Sequence, residues 1–291
     1  MEKYLFKDDI NSMELINCKE IAHSIEEETI EKIKKLKQEG VTPTLAIVKI
    51  GDDEGNISYQ KSITKKCKSM GIGYRLYEIS NDEKNASDKY LSLIDSLNGD
   101  ESIHGIMVLI PKGSAADAIT RINPIKDVDN ITGKGHMYPC TAEAVIAILD
   151  YINVNLEGKD VAIMGKSNKV GKPVAEMMMD RDATVTVCHA KTADTPGKTR
   201  QADILVVAIG VPKFVTQEYV KEGAIVIDVG INLDENGRLC GDVNLDSIKE
   251  KAGACTPAVN GVGAVTTAML MKSIYLCAYK QTMGEIIFHA A

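Results

Sequence analysis

Tryptophan is absent from this chain and phenylalanine occurs three times, so ten tyrosines supply most of its aromatic surface. With so few rings available, a tyrosine in polar surroundings stands out as a candidate for recognition. Paired cysteines are also missing. Cys18, Cys67, Cys140, Cys188, Cys240, Cys255 and Cys277 stand singly, with no C-x-x-C pair and no Cys/His cluster at metal spacing. An odd count of isolated thiols suits a reducing compartment, and no metal site is expected. No apolar run is long enough to cross a bilayer, and the opening residues MEKYLFK lack the apolar core of a signal peptide. The net charge of −7 and a pI near 5.4 lack the excess of positive charge that a phosphate backbone demands. The Lys-rich stretch Lys32–Lys37 lies in a run of Glu and Lys and reads as a solvated helix face. These absences point to a soluble, cytoplasmic protein with no membrane and no nucleic-acid partner.

What is present is an alternation of strand-like and helix-like segments over 291 residues, a length that suits one or two domains. Helical periodicity over Ile21–Gln38 stops before Gly40, and Thr44–Ile50 (TLAIVKI) is a short β-type run. Asn56–Met70 is expected as a helix, Gly73–Glu78 as a strand, Ala86–Leu97 as a helix and Gly105–Ile110 as a buried strand. That β-α-β-α-β order implies a parallel sheet with right-handed crossovers. Pro124–Asp129 interrupts the rhythm, and Thr141–Tyr151 resumes it as a helix. A second series follows: strand Asp160–Met164, helix Val170–Met179, and strands Thr184–Cys188, Ile204–Ala208 and Ala224–Val229. A last helix over about Val265–Tyr279 is apolar on more than one face, which suits packing back on the first domain. The expected fold class is α/β: an N-terminal α/β catalytic domain, 1–142 with a returning helix of about 272–291, and a C-terminal Rossmann-like dinucleotide-binding domain, 143–271.

The clearest chemistry lies where strand Asp160–Met164 runs into Gly165-Lys166-Ser167-Asn168-Lys169-Val170-Gly171 and then a helix. A phosphate-binding turn needs this context, because a helix N-terminus offers unpaired N–H groups and the positive end of a dipole. Gly165 permits the turn, Ser167 can donate to a phosphate, the helix starting at Val170 supplies N–H groups, and Gly171 lets that helix approach closely. The spacing G-x-S-x-x-x-G differs from the usual dinucleotide fingerprint, and a ligand-free glycine-rich connection would look the same locally. Two further strands end in glycine turns, at Ile209-Gly210-Val211-Pro212 and at Val229-Gly230-Ile231. Both open at the carboxyl edge, where doubly wound sheets bind ligands. Ile209, Gly210 and Ile231 are therefore cofactor candidates, as is His189 at the end of strand Thr184–Cys188. That strand end carries no acidic residue to hold ribose hydroxyls, whereas Lys166 and Lys191 could meet a ribose phosphate. NADP is the expected cofactor, with NAD possible.

Taken in order, several segments resemble the bifunctional methylene-tetrahydrofolate dehydrogenase/cyclohydrolase family, FolD. They are Lys126-Asp127-Val128-Asp129, Pro139-Cys140-Thr141, Gly165–Pro173, Thr184–His189, Val226–Asn232, Gly241-Asp242-Val243 and Gly261-Val262-Gly263. The resemblance runs from about Pro43 to Ala268. It implies a folate cleft between a catalytic and a dinucleotide domain, a tetrahydrofolate derivative as the partner molecule, and a homodimer. It places Tyr59 at the family's active-site tyrosine, where a ring can stack on a flat pterin and offer a hydroxyl. It places Asp129 at the acidic residue that binds the pterin's N–H groups, a task suited to a carboxylate accepting two bonds side by side. Without the resemblance, Tyr59 would read as packing and Asp129 as a turn or helix cap.

Departures from the family cluster on the folate side. Its lysine four residues after the tyrosine is Ile63, its glutamine before a proline is Leu109, its serine three residues before the tyrosine is Asn56, and its Pro-Gly-Gly-Val-Gly-Pro reads Val259–Ala264. On the dinucleotide side, Ala190 replaces a serine that the family uses near the ribose phosphate. Lys66 lies two turns beyond Tyr59, too far along the helix to stand in for the missing lysine. Hydride transfer is chiefly positioning, whereas opening a methenyl ring needs water attack and proton movement. The expected function is oxidation of 5,10-methylene- to 5,10-methenyltetrahydrofolate with NAD(P), with cyclohydrolase activity weak or absent. A diverged relative with another substrate, or a non-catalytic dinucleotide-binding subunit, is the alternative.

Overall fold

The structure, a computed structural model, describes residues 5–6, 13–51, 53–80, 86–110 and 121–284. The end of the expected returning helix, 285–291, lies outside them. In chain order, the elements begin with β1 (Leu5–Phe6), β2 (Glu14–Ile16), α1 (Cys18–Gln38) and β3 (Thr44–Ile50). α1 starts three residues before its apolar period because the Asn17 carboxamide accepts the Glu20 N–H at 3.2 Å, a side-chain cap. α2 (Glu54–Met70) likewise starts early, capped by Asp53 accepting from Asn56 N–H at 2.9 Å, and stops at left-handed Gly71. β4 (Gly73–Ile79), α3 (Ala86–Gly99), β5 (Gly105–Leu109), a 3-10 turn at Pro124–Lys126 and α4 (Cys140–Tyr151) follow.

The second series is β6 (Asp160–Met164), α5 (Gly171–Met179), β7 (Thr184–Cys188), α6 (Thr195–Thr199), β8 (Ile204–Val207) and β9 (Ile225–Asp228). A small hairpin of β10 (Asn232–Leu233) and β11 (Leu239–Cys240) precedes α7 (Leu245–Ile248), β12 (Ala254–Cys255) and α8 (Val262–Met283). Among the described residues, α8 is long and apolar enough to cross a membrane, but 61% of its apolar window is buried inside protein, the mark of a core helix.

The chain divides into two compact units. One holds Ile25–Cys140 and the residues from Leu270 onward; the other holds the residues through Ser24 and Thr141–Met269. In the first, β4-β3-β5 form a parallel sheet with the run Thr44–Ile50 at its centre. β3 is buried on both faces, as an unbroken apolar run in a parallel sheet requires. Ala46 and Val48 pack with Tyr90, Ile94 and Leu97 of α3.

In the second unit the strand order is β1-β2-β12-β9-β8-β6-β7, parallel from β2 to β7. The sequence expectation placed residues from 1 onward in the first domain. In the structure Glu14 and Leu15 pair with Ala254 and Cys255, so β2 extends the sheet of the second unit. Strands of two and three residues are too short to show an alternation.

Candidate functional site

In the first unit, the segment Lys126–Asp129 is fixed residue by residue. Lys126 is buried, and its ammonium donates to the carbonyls of Leu97 (3.0 Å) and Asp100 (2.8 Å), which end α3. Burial holds that ammonium below its ordinary pKa. Asp127 is fully buried and accepts from the Ile131 and Thr132 N–H groups and from the Thr132 hydroxyl. Val128 fills the space left by Gly105, where a Cβ would overlap it. Asp129 is thereby left half-buried beside the start of α4, accepting the Cys140 N–H at 2.9 Å.

Tyr59, on the second turn of α2, joins this cluster. Burial pushes its phenol far above the ordinary range, and the neighbouring Asp129 carboxylate pushes it further the same way. Its hydroxyl stays protonated, able to donate. The Cys140 thiol donates to the Val128 carbonyl (3.2 Å). Sequence reasoning placed Tyr59 and Asp129 in one pocket but gave Cys140 no part in it. Its only signal was its place in Pro139-Cys140-Thr141.

One turn beyond Tyr59, Ile63 is 0% exposed, and Leu109 at the end of β5 is 5% exposed. Cys67 and Met70 continue the buried stripe of α2. Lys66 is engaged elsewhere, paired with Glu26 at 2.6 Å. The groups at these two positions are thus buried aliphatics with no proton to give.

In the second unit, β6 delivers the chain to Gly165, whose φ of +117° suits glycine and where a Cβ would overlap the Ala208 carbonyl. Gly171 opens α5, and a Cβ there would overlap the Gly165 carbonyl oxygen. The helix N-terminus therefore rests directly on the turn, a cradle that only the missing side chain permits. The Ser167 hydroxyl accepts the Val170 N–H at 3.1 Å, which leaves its own proton free to donate outward.

Gly165, Lys166, Ser167, His189 and Ile209 line one cavity of about 550 Å³. Val170 and Gly171, at the helix start, are not among its lining residues. Gly210 is exposed on the turn after β8, and Ile231 is 64% exposed next to Gly263. Apolar lining that the sequence did not flag comes from Val211, Phe214 and Tyr219, the last two with ring centroids 5.6 Å apart. Phosphate donors at one end and apolar walls at the other suit a dinucleotide.

His189 Nδ1 accepts the Lys191 N–H (3.1 Å), and its backbone N–H donates to the Thr192 hydroxyl, so the end of β7 is an ordered turn. Lys166 and Lys191 are both exposed there.

The comparisons with known proteins agree with this geometry. Residues 16–129 match the family model "Tetrahydrofolate dehydrogenase/cyclohydrolase, catalytic domain", and residues 139–282 match its "NAD(P)-binding domain". The bifunctional protein FolD of Clostridium botulinum strain Langeland is 43% identical over 269 residues, covering 88% of this chain and 94% of that protein. The structure of the bifunctional FolD enzyme of Campylobacter jejuni superposes with a TM-score of 0.86 at 37% identity, over 90% of this chain and 97% of that one. The FolD enzyme of Trypanosoma brucei, solved with NADP cofactor and an inhibitor, gives a TM-score of 0.85 at 31% identity, over 92% and 98% of the two chains.

Proposed function

Because the chain belongs to the tetrahydrofolate dehydrogenase/cyclohydrolase family, and so to folate one-carbon metabolism, we propose that it is an NADP-dependent methylenetetrahydrofolate dehydrogenase whose cyclohydrolase step is weak or absent. The observation that carries this reading is the burial of Ile63 and Leu109 at the positions where the family resemblance sets a lysine and a glutamine. Asp129 offers a carboxylate to the pterin's N–H groups, and Tyr59 offers a ring face and a protonated hydroxyl. Together they hold the substrate in one orientation, which is most of what oxidation of its methylene carbon asks of the protein. When bound, the nicotinamide supplies the electron acceptor for that oxidation. Gly165–Gly171 would hold the pyrophosphate through the Gly171 N–H at the start of α5 and the Ser167 hydroxyl. NADP is favoured over NAD by Lys166 on the cavity, by the exposed Lys191 that follows its lining residues His189 and Ala190, and by the relative solved with NADP.

Hydrolysis of the methenyl product needs a group to move a proton to or from water, and aliphatic side chains at 63 and 109 offer none. The relatives' name covers both activities, so this chain's departure is directly testable. Methenyltetrahydrofolate absorbance is followed with and without the wild-type protein. The expected decay rate is close to that in buffer, and efficient enzymatic decay would show that another group moves the proton. Seven buried thiols with no disulfide among them are consistent with a reducing cytosol as the setting.

A further inference from the structure

The turn after β8 and the turn after β9 are far apart in sequence, yet one side chain holds both. Asp242 is 0% exposed and sits between β11 and α7. Its Oδ2 accepts the N–H groups of Ile209 (2.7 Å) and Gly210 (2.9 Å). Its Oδ1 accepts the Val211 N–H (2.9 Å) and the Asn232 side-chain amide (2.8 Å). Three successive backbone donors of the β8 turn thus converge on one carboxylate, and the fourth bond ties in the residue after Ile231. A second buried carboxylate secures the first. Asp228, at the end of β9, accepts the N–H groups of Asp242 (3.1 Å), Val243 (2.9 Å) and Gly230 (2.9 Å). Glycine is required around both: a Cβ at Gly230 would overlap Asp242, and one at Gly241 would overlap Asp228.

These bonds have two consequences. The N–H groups of 209–211 are consumed internally, so this turn, although it ends a strand at the ligand edge, has no donors left for a phosphate. Its contribution is a shaped wall, through Ile209 and Val211 on the cavity. A wall built of loop backbone binds well only if it is already ordered, because ordering it on binding would subtract from affinity. We propose that Asp242 is a positioning residue for the cofactor: its four hydrogen bonds pre-order the turn at 209–211, which walls the dinucleotide cavity, and brace it against the turn at 231–232. The proposal rests on the reading of this unit as the NADP site.

A carboxylate is needed here because each oxygen accepts two bonds, whereas an asparagine would offer one acceptor and turn an NH₂ group toward backbone donors. Asp242→Asn is therefore nearly isosteric and mispaired, and Asn232→Ala is a milder change that deletes one bond and keeps the carboxylate. Calorimetric titration of NADP and amide hydrogen exchange are both measured on the full chain. In Asp242→Asn, the amides of 209–211 are expected to exchange rapidly while those of β6, β8 and β9 remain protected. NADP should bind about tenfold or more weakly, and tetrahydrofolate affinity should stay within about twofold, the scale of an untouched site. Asn232→Ala should give a smaller loss in the same direction. Two results would overturn the proposal: NADP affinity kept with 209–211 exchanging freely, or protection lost across the whole sheet in both variants. If the wild type itself binds no NADP, the cofactor reading fails, and this inference with it.

Discussion

The two domains shape their proposed sites by opposite means. In the NAD(P)-binding domain the shape comes from backbone: Gly165, Gly171 and two strand-end turns, locked by the buried carboxylates of Asp228 and Asp242. In the catalytic domain it comes from side chains set one at a time on a rigid frame: Tyr59 on α2, Asp129 beside α4, Ile63 and Leu109 between sheet and helix. A site of the second kind can lose one chemical step by substitutions that pack as well as what they replace. A site of the first kind has little such latitude, because its glycines admit no Cβ. Asn56, Ile63 and Leu109 are departures in the catalytic domain, whereas Ala190 and Val259–Ala264 fall within the NAD(P)-binding match and leave Gly165 and Gly171 in place.

The harshest way to break the comparison is Gly171→Val. Its Cβ would overlap the Gly165 carbonyl, so the start of α5 must retreat from the turn and distort the proposed phosphate cradle, with the Gly171 N–H and the Ser167 hydroxyl. NADP affinity should fall by about tenfold to a hundredfold, the cost of losing one or two charge-assisted bonds, while tetrahydrofolate still binds. Equal affinity in a folded Gly171→Val protein would remove the turn from the cofactor site.

On the folate side the effect runs in the gaining direction. Ile63→Lys alone puts an ammonium into a fully buried stripe, with a depressed pKa and lost stability. The pair Ile63→Lys with Leu109→Gln adds a hydrogen-bond partner and should recover part of the about 10²–10⁴-fold that a proton-transfer group provides. Methenyl hydrolysis rates of the wild type, single and double variants decide it; a double variant no faster than the wild type would show that other substitutions matter more.

Asp129→Ala separates the two domains more gently. Removing it deletes a charge-assisted anchor worth about 1.5–3 kcal/mol and frees the Cys140 N–H at the start of α4. Folate binding should weaken by roughly tenfold to a hundredfold, and NADP binding should not change. Loss of both ligands in the same titration would make Asp129 a structural residue.

The smallest effect is read in pH. Burial, opposed by its hydrogen bonds to Val243, Asp242 and Gly230, raises the Asp228 carboxyl to about 6 from 3.8. A carboxyl raised on folding binds its proton more tightly in the fold. Its stabilising contribution is complete below about pH 4 and is lost as pH rises through 6. A rise of that size is worth about 3 kcal/mol at most. The urea midpoint of the wild type relative to Asp228→Asn should therefore fall between pH 4 and 7, the reverse of a salt-bridged carboxylate. A flat difference would mean that the hydrogen bonds cancel the burial.

Much of the frame was legible residue by residue. Thr44–Ile50, Asp160–Met164 and Thr184–Cys188 are strands with the bounds their β-branched runs suggest. Helix starts were read late because Asn17 and Asp53 act through side-chain caps outside the apolar period. β1, β2 and β12 were not legible at all: two or three residues carry no period, and their pairing joins positions 14 and 254. The cofactor cradle could be read because strand, turn and helix are contiguous, but Phe214 and Tyr219 reached its cavity without any local pattern.

What the sequence determined by itself, then, is whatever depends on neighbours in the chain: the periodic strands, the glycine turn that α5 follows, and aliphatic residues at 63 and 109. Local sterics and side-chain alternation act over a few residues and leave their trace there. Only the tertiary structure decided which polar groups share a pocket or a latch. Tyr59 and Asp129 are brought together across 70 positions, and Asp242 holds donors 31 to 33 residues away. A buried carboxylate must be given hydrogen-bond donors from wherever the folded chain can supply them, and no window of local sequence contains that condition.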